Sequence, residues 1–144
     1  MADSRIVGLD FGIARIGIAL SDPRKIIATP LSTLKAEKKS VDTAKKLIDE
    51  LNNHASLNKY TIEKIIIGMP LLLSGKKGLL ADEVSHFIEL MQQLTGVPIQ
   101  IWDERLTTAQ AERSLRESSL TRKKRSKVVD SVAAIIILQN FLEW

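Results

Sequence analysis

From Ile6 to Asp22 the chain reads IVGLDFGIARIGIALSD, an almost unbroken apolar run with a single carboxylate inside it, Asp10, set between Gly8 and Gly12. A run this apolar has to be buried, and its β-branched content predicts strands. Residues 5–12 form the first, and RIGIALSD forms the second, paired to it through a short turn at Gly12–Arg15. The acid is the anomaly. A carboxylate in an apolar strand is costly unless something offsets its charge. An ion pair with Arg15 or Arg5 is one solution, and a bound cation is another.

The remaining elements follow from periodicity. KIIATPLSTL predicts a third strand, with Pro30 placing it near a sheet edge. Val41, Ala44, Leu47, Ile48 and Leu51 fall at helical spacing. IEKIIIG at 62–68 is a short strand closed by Gly68 and Pro70. Leu80, Val84, Phe87, Ile88, Met91 and Leu94 stripe a second helix, which Gly96 and Pro98 stop. VPIQIW is a fifth strand. Thr107 with Gln110 fits a capping box for a helix over about 108–118, followed by a basic loop at 119–126. The last helix, 127–143, is apolar on almost every side and should be largely buried. The order βββ-α-β-α-β-α-α predicts an α/β fold. An antiparallel meander continues into right-handed crossovers, giving a five-stranded mixed sheet with helices on both faces. Functional sites in such sheets gather at the carboxyl ends of the central parallel strands.

A length of 144 residues, 44% of them apolar, suits one domain covering 1–144. The absence of cysteine excludes disulfides, thiol catalysis and cysteine-bound zinc, and permits a reducing compartment. No basic-then-apolar leader opens the chain and no stretch is long enough to span a bilayer, so a cytoplasmic protein without membrane contact is expected. The placement of charge says more than the overall +4: Arg113–Lys127 holds seven basic residues against Glu117, a local +6 that leaves the rest of the chain at −2. A concentrated basic segment suggests a phosphate-bearing partner, although a solvated loop would look the same.

Acidic residues interrupt or end apolar elements at three places: Asp10 in the first strand, Asp103 and Glu104 after the fifth, and Asp130 in the first turn of the last helix. Carboxylate oxygens are the preferred ligands of magnesium and manganese. Two such ions about 4 Å apart can activate water and stabilise the leaving oxygen of a phosphodiester. Several converging carboxylates on rigid elements are what that chemistry needs. Taken singly, each acid has a plainer explanation. Asp103 or Glu104 could cap a turn or pair with Arg105, and Asp130 could favour a helix N-terminus or pair with Lys127.

Other polar residues carry less. No Walker-type phosphate loop is present, and SGKKG at 74–78 lacks its spacing. His54 and His86 have no metal-ligand companion, which favours surface or packing roles. Ser21, Ser32 and Ser74 lack a nucleophile motif. Aromatic residues are only 4% of the chain, so contact with nucleic acid should be mostly through phosphate.

GLDFGIARIGIALSD, GMP…SGKKG, WDERLTT and KVVDSVAAIIIL occur in this order along nearly the whole chain. In this the sequence resembles the bacterial YqgF/RuvX family, candidate pre-16S rRNA nucleases also described as Holliday-junction-resolvase-like. The resemblance implies a ribonuclease-H-like fold and a cytoplasmic, divalent-metal-dependent role in ribosomal RNA maturation. It implies that Asp10, the Asp103–Glu104–Arg105 motif and Asp130 form the catalytic set, with Asp10, Glu104 and Asp130 as ligands of Mg2+ or Mn2+, two ions being expected, and Asp103 kept as a candidate. Arg15, Arg105 and Lys127, with Arg122, Lys123, Lys124 and Arg125, would contact the substrate. The expected partner is structured precursor rRNA, with branched DNA or non-catalytic nucleic-acid binding as alternatives. The expected state is a monomer or a weak homodimer.

Overall fold

The computed structural model describes residues 3–70, 78–103 and 122–144, with side chains from Val132 onward in the last stretch. Three strands come first: β1 (Ser4–Phe11), β2 (Arg15–Ser21) and β3 (Ala28–Lys35). Helix α1 (Ser40–Leu57), β4 (Thr61–Met69), α2 (Leu79–Gln92), β5 (Ile99–Asp103) and α3 (Arg122–Glu143) follow. One sheet of five strands has the order β3-β2-β1-β4-β5. β1 pairs antiparallel with β2 and parallel with β4, and β4 pairs parallel with β5. β1 is thus the middle strand, flanked by a local meander on one side and crossover-connected strands on the other.

The β1–β2 turn forms where Gly12 and Arg15 predict it. The Gly12 N–H donates to the Arg15 carbonyl at 2.9 Å, leaving Ile13 and Ala14 as the two loop residues. A Cβ on Gly12 would lie 2.7 Å from that same carbonyl oxygen, so this corner needs glycine. β3 is the edge strand that Pro30 implied. The register steps from Ile18↔Ser32 to Ala19↔Pro30, which makes Leu31 the extra residue of a bulge. Asp22 holds the β2–β3 loop: its Oδ1 accepts the N–H groups of Ile26 and Ile27 at 2.7 and 2.9 Å. Those two bonds hold its carboxyl below the usual range. A carboxylate depressed in the folded state contributes stability above its unfolded pKa and loses it as pH falls through the folded one. Asp22→Ala should therefore lower Tm at neutral pH, and its gap from wild type should narrow as pH drops below about 4 in paired melting curves.

Strand alternation divides the core into two layers. On one face Val7, Leu9, Ile16, Ile18, Leu34, Ile65, Ile67 and Met69 pack against α1 and α2. Ala44, Leu47, Ile48, Leu51 and Ala55 supply the α1 stripe, and Ala81, Val84, Phe87, Ile88 and Met91 supply that of α2. On the other face Ile6, Ala19, Ala28 and Ile66 pack against Ala134, Ile137 and Leu138 of α3. The helices thus lie on both faces, as their order predicts.

Three sequence expectations change. Val41 is 45% exposed, because it sits in the first turn of α1 off the stripe. Leu94 lies beyond α2 and is 37% exposed, because that helix ends at Gln92, ahead of Gly96 and Pro98. The last helix begins at Arg122, so Arg122–Ser126 are helical where a basic loop was expected. Lysine and arginine are good helix formers, and their charge does not stop a helix. From Val132 to Leu142 every side chain of α3 is buried or half-buried, as its composition implies. The expected helix at 108–118 lies outside the described residues.

Candidate active site

Asp10 is half-buried at the carboxyl end of β1. By alternation it shares a face with Ile6 and Gly8, the face covered by α3. Its cross-strand partner is Gly17, so no bulky side chain faces it from β2. The approach of α3 is unusually close here. A Cβ on Gly8 would come within 2.7 Å of Leu138 Cβ and 3.2 Å of the Ala134 carbonyl oxygen.

The helix runs against the direction of β1. Its Gln139 side chain accepts from the Ala28 N–H and donates to the Ile26 carbonyl, both at 2.8 Å. Ala28 pairs with Ser21, whose Oγ accepts the N–H of Ile6 at the start of β1. Going backward along α3 from Ala134 therefore leads toward the carboxyl end of β1. Asp130 lies one turn back, about 6 Å of helix axis. Asp10 lies two residues past Gly8, about 7 Å of strand. The two displacements run the same way, so the backbones carrying Asp10 and Asp130 approach one end of the molecule.

Asp103 is the last residue of β5 and is exposed. Trp102 packs with the α3 layer, so the pleat gives Asp103 the opposite face from Asp10. The structure does not bring these two carboxylates together on one surface. Glu104 and Arg105 lie outside the described residues. Arg122, Lys123, Lys124, Arg125 and Lys127 occupy the first two turns of α3, ahead of Asp130. Among the described residues no three His, Cys, Asp or Glu side chains gather as a metal site.

Of the two arginines considered for Asp10, Arg5 is committed elsewhere. Its Nε and Nη2 donate to the Asp3 carboxylate at 3.1 Å, and its guanidinium lies 5.0 Å from the Tyr60 ring centre. The Asp3 bond raises its pKa. It also sits five residues from Asp10 along the strand, about 17 Å away. Arg15 is different. Two residues from Gly17 on β2, it is the diagonal neighbour of Asp10 on the same face, within reach of a long side chain. His54 packs, as expected: its Nδ1 lies 2.7 Å from the hydroxyl of buried Tyr60.

Sequence patterns missed two residues on this face. Gly17 pairs with Thr33 and Arg15 with Lys35, so both β3 side chains stand in the rows of Asp10 and Arg15. Nothing in a linear sequence marks them, because their placement depends on the β2–β3 register. Ala14, Arg15, Thr33 and Lys35 line an open cavity of about 390 Å3.

A central β1 with antiparallel and parallel neighbours, an acid at its carboxyl end and a helix crossing that face define a ribonuclease-H-like fold. Thermus thermophilus RuvC, solved in complex with a Holliday junction, has a similar structure, with a TM-score of 0.57 over 96% of this chain and 93% of that one at 14% identity. The chain belongs to the RuvX family, described as Holliday junction resolvase, whose model matches residues 4–144. A relative from Protochlamydia amoebophila is 62% identical over 97% of this chain and 93% of its own. One from Clostridioides difficile is 42% identical over 100% of this chain and 97% of its own. Both are named as candidate pre-16S rRNA nucleases.

Proposed function

We propose that this protein is a divalent-metal-dependent endonuclease that hydrolyses phosphodiester bonds of precursor 16S rRNA during ribosome maturation in the cytoplasm. The observation that carries the reading is the close approach, at Gly8, of the central strand that carries Asp10 to the helix that carries Asp130. The names of the relatives point to the substrate.

Asp10, Glu104 and Asp130 are the residues we assign to hold the ions. Their oxygens suit Mg2+ or Mn2+, which when bound would polarise the phosphodiester and activate water. The half-buried setting of Asp10 fits this role, since a dication stabilises a carboxylate with reduced access to water. Of the two acids after β5 we favour Glu104, because Asp103 at the end of β5 has the opposite face from Asp10. Arg15 and Arg105 would brace the substrate phosphate, and Lys127 with Arg122, Lys123, Lys124 and Arg125 would grip the backbone beside it. No helix among the described residues is long and apolar enough to cross a membrane. A single domain acting as a monomer or weak dimer completes the reading.

The family description supports branched DNA as a second substrate class. Phosphate contacts carry little substrate identity, so cleavage has to separate the two. Precursor rRNA and a four-way DNA junction, incubated side by side with the protein in Mg2+ or Mn2+, should show cutting of the RNA that EDTA abolishes. Cutting of the junction alone would replace the proposed substrate, and cutting that survives EDTA would remove the metal.

A further inference from the structure

Ile13 stands at the tip of the β1–β2 turn and is 78% exposed. One exposed aliphatic side chain is ordinary on a protein surface, but its position here is not. Turn tips usually carry Gly, Asn, Asp or Ser, which suit water and tight backbone angles. This tip is three residues past Asp10, so at most about 10 Å of chain separates the two. It is also tied down on both sides. The Gly12 N–H donates to the Arg15 carbonyl, and the Ala36 N–H donates to the Ala14 carbonyl, both at 2.9 Å. The second bond fastens the turn to the segment that leads from β3 into α1. The apolar group is therefore presented on a braced turn beside the carboxyl end of the central strand.

Charge around the tip favours a polyanion as its occupant over an apolar protein surface. Lys38 and Lys39, just past Ala36, are exposed. Glu37 is paired with Lys46 at 3.1 Å. Glu83, another acid near the tip, belongs to α2, on the sheet face opposite Asp10. An aliphatic side chain has nothing to offer a phosphate, so the part of a nucleic acid that it fits is the face of a base. Isoleucine is among the side chains that proteins insert between base steps to unstack them.

We propose that Ile13 is a wedge that packs against the nucleobase flanking the cut phosphodiester, so that the enzyme selects positions where that base is already unpaired or weakly stacked. This rests on the nuclease reading and deepens it by naming a feature of the substrate. A base that is already free costs least to displace, which turns the contact into selectivity. Structured RNA and branched DNA both interrupt regular stacking, so the wedge serves either substrate class.

The test uses the full chain and a labelled precursor rRNA fragment, or a four-way DNA junction if that is what the protein cuts. Once the cut is mapped, the flanking nucleotide is paired in one substrate and unpaired in a second. In a third it is replaced by a fluorescent adenine analogue whose emission rises on unstacking. Ile13→Ala should slow cutting of both the paired and the unpaired substrate, the paired one by about ten-fold more. In an Asp10→Asn background, which should bind without cutting, Ile13→Ala should remove most of the rise in emission. Ile13→Leu should restore both signals. Leu57→Ala, 82% exposed at the far end of α1, is the control and should change neither. An Ile13→Ala protein that keeps either the wild-type ratio of paired to unpaired cutting or the wild-type emission rise overturns the wedge and leaves the nuclease reading standing. A wild-type protein that cuts neither RNA nor junction in Mg2+ or Mn2+ removes the nuclease reading, and the wedge with it.

Discussion

Asp10→Asn should reduce cleavage of precursor rRNA by on the order of 100-fold or more while the protein stays folded. Removing even an outer-sphere partner of a metal site costs 10–100-fold, roughly, and a direct ligand should cost at least as much. The substitution keeps the shape of the side chain and removes only its charge. It leaves the Val7, Leu9 and Phe11 face of β1 untouched, so the α1–α2 layer has no reason to respond. Single-turnover cleavage paired with thermal melting checks both halves. The rise in Tm that Mn2+ gives the wild type should shrink in the variant, since an ion stabilises only the state that binds it. A variant that cuts at more than half the wild-type rate would end the assignment of Asp10.

The second large effect comes from a residue with no side chain. Gly8→Ala places a methyl group 2.7 Å from Leu138 Cβ and 3.2 Å from the Ala134 carbonyl. Neither atom is the tip of a flexible side chain. Both belong to the helix framework, so α3 has to lift or slide. Overpacking of this kind costs about 1–3 kcal/mol, and each kcal/mol lowers Tm by about 2–4 °C in a domain near this size. Activity should fall as well, although no acid or base has changed, because the same helix carries Asp130 one turn away. A geometric error of about 1 Å at a reacting centre can cost 100-fold, roughly. Melting and cleavage measured on one preparation make the test. A Gly8→Ala protein with wild-type Tm and wild-type rate would show that α3 does not depend on this contact.

Much of this fold can be read along the chain because its elements are chemically distinct. The run of Ile65, Ile66 and Ile67 admits little besides a strand buried on both faces, and the structure buries all three. Pro30 lacks the N–H that an interior strand would need, and β3 is indeed an edge. Gly12 and Arg15 close the first turn as their spacing implies. The start of α3 is not legible in RKKR because its charge suggests a solvated loop, while helix formation depends on backbone and rotamer entropy, which these residues tolerate well. Of the candidate site, the acids were legible singly, since each interrupts an apolar element. The approach of the strand that carries Asp10 to the helix that carries Asp130 was not, because it depends on the antiparallel crossing of α3 over β1. Thr33 and Lys35 were invisible for a related reason. A bulge at Leu31 shifts the β3 register, and pairing decides which side chains join Asp10 on its face.

The chain has two tryptophans, and α3 brings them together. Trp102 meets Trp144 edge to face at 5.6 Å and Phe141 at 6.0 Å, at the seam between β5 and the end of the last helix. Tryptophan emission, excited where Tyr60 does not absorb, is therefore a local gauge of whether that helix is seated, with no contribution from the α1–α2 side. Emission that changes while far-ultraviolet dichroism holds steady would mark undocking of the helix from an otherwise intact sheet.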